Sequence, residues 1–151
     1  MCRSENDFIT RNNFKEFNPL IFCTFANAIK ITMHFLRNCL LVMAGGAVGS
    51  VLRYVCSILS LLWGVQAHWG TMIVNAIGSF LIGILAATLS EETWTLLLVV
   101  GLCGGFTTYS TFSMQTISLL QSGNISTALL YITVTICVCL LFTYLGWKCK
   151  Y

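Results

Sequence analysis

From Asn38 onward the chain alternates between long apolar runs and short polar breaks, on the length scale of a bilayer rather than of a soluble core. A helix needs about 20 apolar residues to cross the hydrocarbon region. Four runs reach that length, at roughly 38–62, 70–90, 94–121 and 125–147. They are joined by WGVQAHW at 63–69, EET at 91–93 and SGN at 122–124. Connections this short make consecutive helices antiparallel and closely packed. A transmembrane barrel would instead show alternating segments of about ten residues. The pattern predicts an all-α integral membrane protein with four transmembrane helices, multi-pass in a cell membrane, and a membrane domain over 35–151.

Residues 1–34 read differently. They hold Arg3, Arg11, Lys15, Lys30, three acids and several asparagines, and their one apolar stretch, 19–29, is too short to span. Two readings stand: a disordered cytoplasmic arm, or an upstream start, with Met33 the natural first residue of a four-helix protein. Arg37, Lys148 and Lys150 lie on the side of the termini, while 63–69 and 122–124 carry no Lys or Arg. The positive-inside rule then puts the termini in the cytoplasm.

Composition sharpens the class. The chain is 57% hydrophobic and 9% charged, against about 25% charged residues in a soluble domain. The net charge of +3 is spread thinly, with no basic patch interleaved with aromatics, which argues against nucleic acid as a partner. Eight cysteines form no C-x-x-C pair and read as buried thiols. No metal-ligand spacing, nucleophile–base pair or phosphate loop points to an enzyme.

Polar groups inside the spans are the informative positions, because each must meet a partner or a wet path. In the first run Gly45, Gly49, Arg53 and Ser57 recur every four residues. Gly45 and Gly49 form a G-x-x-x-G that lets another helix approach. Arg53 either shapes the approach of an anion or snorkels to the interface. In the second run Thr71, Asn75, Gly78 and Ser79 form a narrow polar face, where Asn75 reads as interhelical glue or as a pore-lining donor. The third run carries GLCGGFTTYSTFS at 101–113, with three glycines, five Ser/Thr hydroxyls and Tyr109. Gly104-Gly105 weakens the helix there, and the hydroxyls can satisfy backbone groups freed by a break. The third helix is therefore expected to be broken near its middle, exposing carbonyls able to hold a hard cation. In the fourth run Tyr131, Thr135, Cys139 and Thr143 recur every four residues, as hydroxyls bonded to their own helix or as a track beside an aqueous file.

What is missing decides the chemistry. After Phe17 the only acids are the pair Glu91 and Glu92. Cation paths and proton-coupled exchangers normally need an intramembrane acid. These faces offer hydroxyls and a carboxamide, which donate hydrogen bonds to an anion, and Tyr109 and Phe112 at i+3 can present positive ring edges. The residues reach "small anion" and do not separate fluoride from chloride.

Three segments, GGAVGSVLRY (45–54), GTMIVNAIGSFLIG (70–83) and GLCGGFTTYSTFS (101–113), resemble the signature stretches of the CrcB/Fluc fluoride channels. The resemblance covers about residues 35–148 in order and length. It implies a fluoride-selective channel that lowers cytoplasmic fluoride by passive export and confers fluoride resistance. It also implies an antiparallel dual-topology homodimer, with a structural Na⁺ at its centre. Carried over by motif position, the Na⁺ carbonyls are those of Gly104 and Thr107. The pore lining is Asn75, Tyr109, Ser110, Thr111, Phe112, Tyr131, Thr135 and Cys139, with Arg53 at the anion approach. Two positions depart from the pattern: Tyr109 stands where Phe is common, and Cys139 where a hydroxyl is more often found. The one-sided basic residues favour a second assembly, half of a heterodimer with an oppositely oriented paralogue. Other readings are a small multidrug-type exchanger, which lacks its carboxylate in the first span here, and a non-transporting membrane protein, which leaves 104–113 unexplained.

Overall fold

A computed structural model of the chain describes residues 19–150, with side chains from Ala26 onward. The first 18 residues of the N-terminal arm lie outside that range. Among the described residues, four helical segments are long and apolar enough to span: Ala26–Leu62, Ala67–Thr88, Glu92–Gln121 and Ile125–Lys148.

Helix α1 runs over Pro19–Leu62. The apolar run alone placed its start near 38, but nothing upstream stops it. Proline suits the first helical position, and no further proline or glycine intervenes before Gly45. Residues 38–62 of α1 alone come to about 38 Å at 1.5 Å per residue, enough to cross the hydrocarbon region. The helix ends where Gly64 takes φ +72 and the Val65 amide donates to the Ser60 carbonyl at 2.9 Å, a Schellman closure. Contacts divide the chain into two compact units, Met1–Arg37 and Asn38–Tyr151. The described part of the first is helical, and Thr32 there donates to its own helix at Ala28. The second unit holds everything that follows.

Helix α2 spans Ala67–Thr88. The third span is composite: α3 over Glu92–Trp94, a π-helix over Thr95–Cys103, α4 over Gly104–Phe106, then α5 over Tyr109–Gln121. Helix α6 covers Ile125–Lys148. The turn before it uses Gly123 at φ +78, with the Asn124 amide closing on Leu119. Wide π turns concentrate at functional sites, and nothing in TLLLVVGLC marks this one in advance.

Glycines set the helix crossings. A Cβ on Gly45 would lie 2.8 Å from the Leu102 amide nitrogen, and one on Gly49 2.8 Å from that of Phe106. From the other side, Gly105 would meet the Gly46 carbonyl at 2.6 Å. Backbone therefore rests on backbone where α1 crosses the third span, the contact that small residues permit in lipid. Helices α2 and α6 pair along most of their length. They run in the same direction, from His68 beside Tyr131 to Gly83 against Thr143 and Gly146 against Phe80. Outward faces of all four spans carry exposed Leu, Ile and Val, as lipid contact requires.

The break in the third span falls at Thr107–Thr108, three residues beyond the glycine pair expected to cause it. Thr107 has φ −78, ψ 155 and Thr108 φ −147, ψ 114, both extended. Gly104 and Gly105 stay helical, and Gly105 serves the crossing with Gly46 instead.

Candidate functional site

Extended backbone at membrane depth leaves amides and carbonyls that need partners. Asn75, from the middle of α2, supplies two. Its Oδ1 accepts from the Thr108 amide at 2.8 Å, and its Nδ2 donates to the Thr108 carbonyl at 3.1 Å. One carboxamide thus replaces the ladder bond that the Thr108 amide loses, adds a donor to the Thr108 carbonyl at the start of α5, and keeps one N–H free of that pairing. The Thr108 hydroxyl caps α5, accepting from the Thr111 amide at 3.2 Å and donating to the Thr111 hydroxyl at 2.9 Å. It also lies 3.3 Å from the Ser110 hydroxyl. On the other side of the break, Arg53 Nε donates to the Gly105 carbonyl at 3.2 Å.

These diversions have a consequence for two carbonyls. In an unbroken helix the amides of Thr108 and Thr111 would close on Gly104 and Thr107, four residues earlier. Here they serve Asn75 and the Thr108 hydroxyl. Beside Gly104 lies open space, where a Cβ would meet nothing within 4 Å.

A cleft of about 330 Å³ opens at the break, between α2, α5 and α6. Asn75, Ser79, Thr107, Thr108, Tyr109, Phe112, Thr135 and Cys139 line it, with Ile82, Ile136 and Leu140. Every polar group among these is a hydroxyl, carboxamide or thiol; none is a carboxylate. Thr135 is 5% exposed, and its hydroxyl has no hydrogen-bond partner among the described residues. That is unusual, since Thr133 and Thr116 return their hydroxyls to Leu129 and Phe112 of their own helices at 2.9 Å. A buried hydroxyl left unpaired costs about 1–3 kcal/mol, so its place in an acid-free cleft calls for a guest.

Aromatic rings close one end. Phe112 is buried with its centroid 5.1 Å from that of Tyr131 and 5.7 Å from that of Tyr109. Tyr109 sits at the rim, 80% exposed. Tyr131 is fully buried behind Phe112, and its hydroxyl donates to Gln115 Oε1 at 2.9 Å.

The sequence profile of the family described as "CrcB-like protein, Camphor Resistance (CrcB)" matches residues 40–147. The chain belongs to the CrcB family. The matched stretch holds the break, its Asn75 clamp and the whole cleft, and it leaves 1–39 outside. Three curated relatives carry the name "Fluoride-specific ion channel FluC". The one from Shewanella amazonensis is 45% identical over 122 residues, covering 77% of this chain and 98% of its own length. That from Methylobacterium radiotolerans is 41% identical over 116 residues, 72% of this chain and 81% of the relative. That from Leptospira interrogans is 39% identical over 125 residues, 78% and 98%.

Of the residues singled out in this CrcB chain from sequence, Asn75, Tyr109, Phe112, Thr135 and Cys139 share the cleft. Tyr131 stands behind it. Ser110 and Thr111 belong to the α5 cap, and Arg53, Gly104 and Thr107 cluster about the break, where the Thr107 side chain also reaches the cleft. Three residues about the cleft were not among the site residues named from sequence: Ser79 and Thr108, which line it, and Gln115, which holds the Tyr131 hydroxyl. Ser79, four residues after Asn75, already lay on the polar face of the second run, which is the signal that could have placed it. Gln115 sits three residues after Phe112, a helical neighbour position.

Proposed function

We propose that this chain forms a fluoride-selective channel that lowers cytoplasmic fluoride by passive export across the membrane. The observation that carries the reading is the cleft at the break, lined by hydrogen-bond donors and two aromatic rings and by no carboxylate. An anion leaving water needs donors to replace its hydration. The unpaired Thr135 hydroxyl and the remaining Asn75 N–H supply them, and the Ser79 hydroxyl extends the set. Phe112 contributes the positive edge of its ring. The relatives' names single out fluoride from the small anions that such a lining would accept. Export needs no energy source of its own. Weak acid HF crosses into the cell and dissociates, and F⁻ then leaves down the membrane potential.

The assembly belonging to this reading is an antiparallel dual-topology homodimer. The exposed position of Tyr109 on the rim of a cleft open to one side supports it, because a second copy would complete the wall. The cation belonging to it is a structural Na⁺. The carbonyls of Gly104 and Thr107 fit such a group: their helical donors are engaged elsewhere, and the space beside Gly104 is open. Neutral carbonyl oxygens suit a hard monovalent cation, and two copies would offer four. When bound it would hold the two broken helices together. The basic residues Arg37, Lys148 and Lys150, all on the side of the termini, favour the second assembly, a heterodimer with an oppositely oriented paralogue.

Efflux of fluoride and chloride from liposomes containing the purified chain tests the reading. Fast fluoride efflux with negligible chloride is the expected result, and it would establish the homodimer as sufficient. Equal flux of both ions would remove the selectivity. No flux from the pure chain, restored by a co-expressed paralogue, would favour the heterodimer.

A further inference from the structure

Beyond Tyr131 the hydroxyl track does not end in bulk solvent. Cys139, Thr135 and Tyr131 step along α6 at about 6 Å per four residues. At the Tyr131 end the line meets the first turn of α2, where His68 lies with its ring centroid 5.5 Å from that of Tyr131, edge to face. Trp69 closes over the pair, 5.0 Å from His68 and 6.4 Å from Tyr131. His68 is 8% exposed, and its Nε2 is shut off from solvent with no hydrogen-bond partner among the described residues. A buried ring nitrogen in that state points to a missing guest, an ion or a water.

We propose that His68 forms a proton-linked anion site at the end of the track, where imidazolium Nε2–H holds a small anion beside Tyr131. The inference rests on the channel reading and adds to it a residue that ties anion occupancy to pH. Imidazolium donates from both ring nitrogens, so protonation turns an idle nitrogen into a charged donor. Binding is reciprocal: the anion favours the protonated ring, and the protonated ring favours the anion. Histidine is the side chain whose unperturbed charge change falls between about pH 5 and pH 8.

Among the described residues no anionic group competes for that coupling. The titratable group facing His68 from α6 is the Tyr131 phenol, which is committed to the uncharged Gln115 of α5. On α1, Ser60 packs against Gly70, and Arg53 lies about two turns away and is held by the Gly105 carbonyl. The acids Glu91 and Glu92 follow the far end of the 22-residue α2, about 33 Å of helix from His68. Among the described residues no carboxylate is therefore at hand to pair with the imidazolium in the anion's place.

Fluoride efflux from liposomes at equal internal and external pH, corrected with protein-free liposomes for HF leak, provides the test. In the unmodified chain the rate should rise about five- to tenfold from about pH 8 to about pH 5.5, the size of a typical coupling between sites. His68→Gln keeps an N–H donor without the charge, so it should conduct at both ends of that range with a flat profile. A wild-type slope in His68→Gln would overturn the site while leaving the channel intact. No fluoride flux in the unmodified chain would remove the channel reading, and this inference with it. Should the variant fail to fold, a second measurement decides. Sodium fluoride added near pH 6.5 to the weakly buffered, detergent-solubilised native chain should draw protons from solution, and no uptake would overturn the proposal.

Discussion

Asn75 and Thr135 show how one polar side chain in a membrane can be either structure or site. Asn75 is both, because its carboxamide closes two bonds to Thr108 and still borders the cleft. Asn75→Ala should lower thermal stability in detergent by about 2 kcal/mol, for two hydrogen bonds lost at a backbone break. Asn75→Asp keeps the acceptor for the Thr108 amide but loses the donor and adds a negative charge. Fluoride efflux should then fall at least about 100-fold, since like charges about 4 Å apart in a partly screened site repel by about 4 kcal/mol. Near-native flux in Asn75→Asp would reduce the residue to a clamp. Thr135 gives the opposite signature. Its hydroxyl holds nothing in the chain, so Thr135→Val should leave stability unchanged or about 1 kcal/mol higher. Efflux should nevertheless fall about tenfold, one charge-assisted donor having gone. Both stability and flux falling together would show that the hydroxyl serves the fold.

At the scale of the element, the third span divides its glycines between two tasks. Gly105 lets α1 approach, with the Gly46 carbonyl 2.6 Å from where a Cβ would sit. Gly104 faces open space. Gly105→Ala should therefore cost about 1–3 kcal/mol through overpacking, visible as a lower unfolding midpoint. Gly104→Ala should hold or slightly raise the stability of the chain, as alanine favours a helix by up to about 1 kcal/mol. Comparing the pair by size exclusion and thermal unfolding separates packing within a chain from packing between copies. Loss of dimer in Gly104→Ala with chain stability intact would locate a second copy beside that glycine. The break itself follows from a side chain on another helix: Asn75 offers the extended Thr107–Thr108 backbone what the helical ladder would have offered.

For the molecule as a whole, the family match covers 40–147 while α1 begins at Pro19. The cleft, the break and all the crossings described above draw on residues after Asn38. Deleting residues 1–32 should accordingly leave fluoride efflux within about twofold of the full chain, the change expected where no contact at the site is lost. A collapse of flux with unchanged membrane insertion would make the upstream turns part of the conducting machine.

Four spans, their short connections, an acid-free interior and the motifs of the CrcB family were all legible in the sequence. Each rests on local composition: apolar runs long enough for a bilayer, and polar residues at a four-residue repeat. The same repeat brought Asn75, Thr135 and Cys139 forward as candidates. Only the tertiary structure decided what each of them does. Whether a threonine bonds to its own helix, as Thr133 does, or is left unpaired, as Thr135 is, depends on the neighbours a crossing supplies. That the break falls at Thr107–Thr108 and not at Gly104-Gly105 depends on Asn75, 33 residues away in sequence. His68 looked like one polar residue in a connecting loop, until the parallel course of α2 and α6 set it against Tyr131. Helical periodicity is a property of one segment, whereas the pairing of buried polar groups belongs to two or three segments at once.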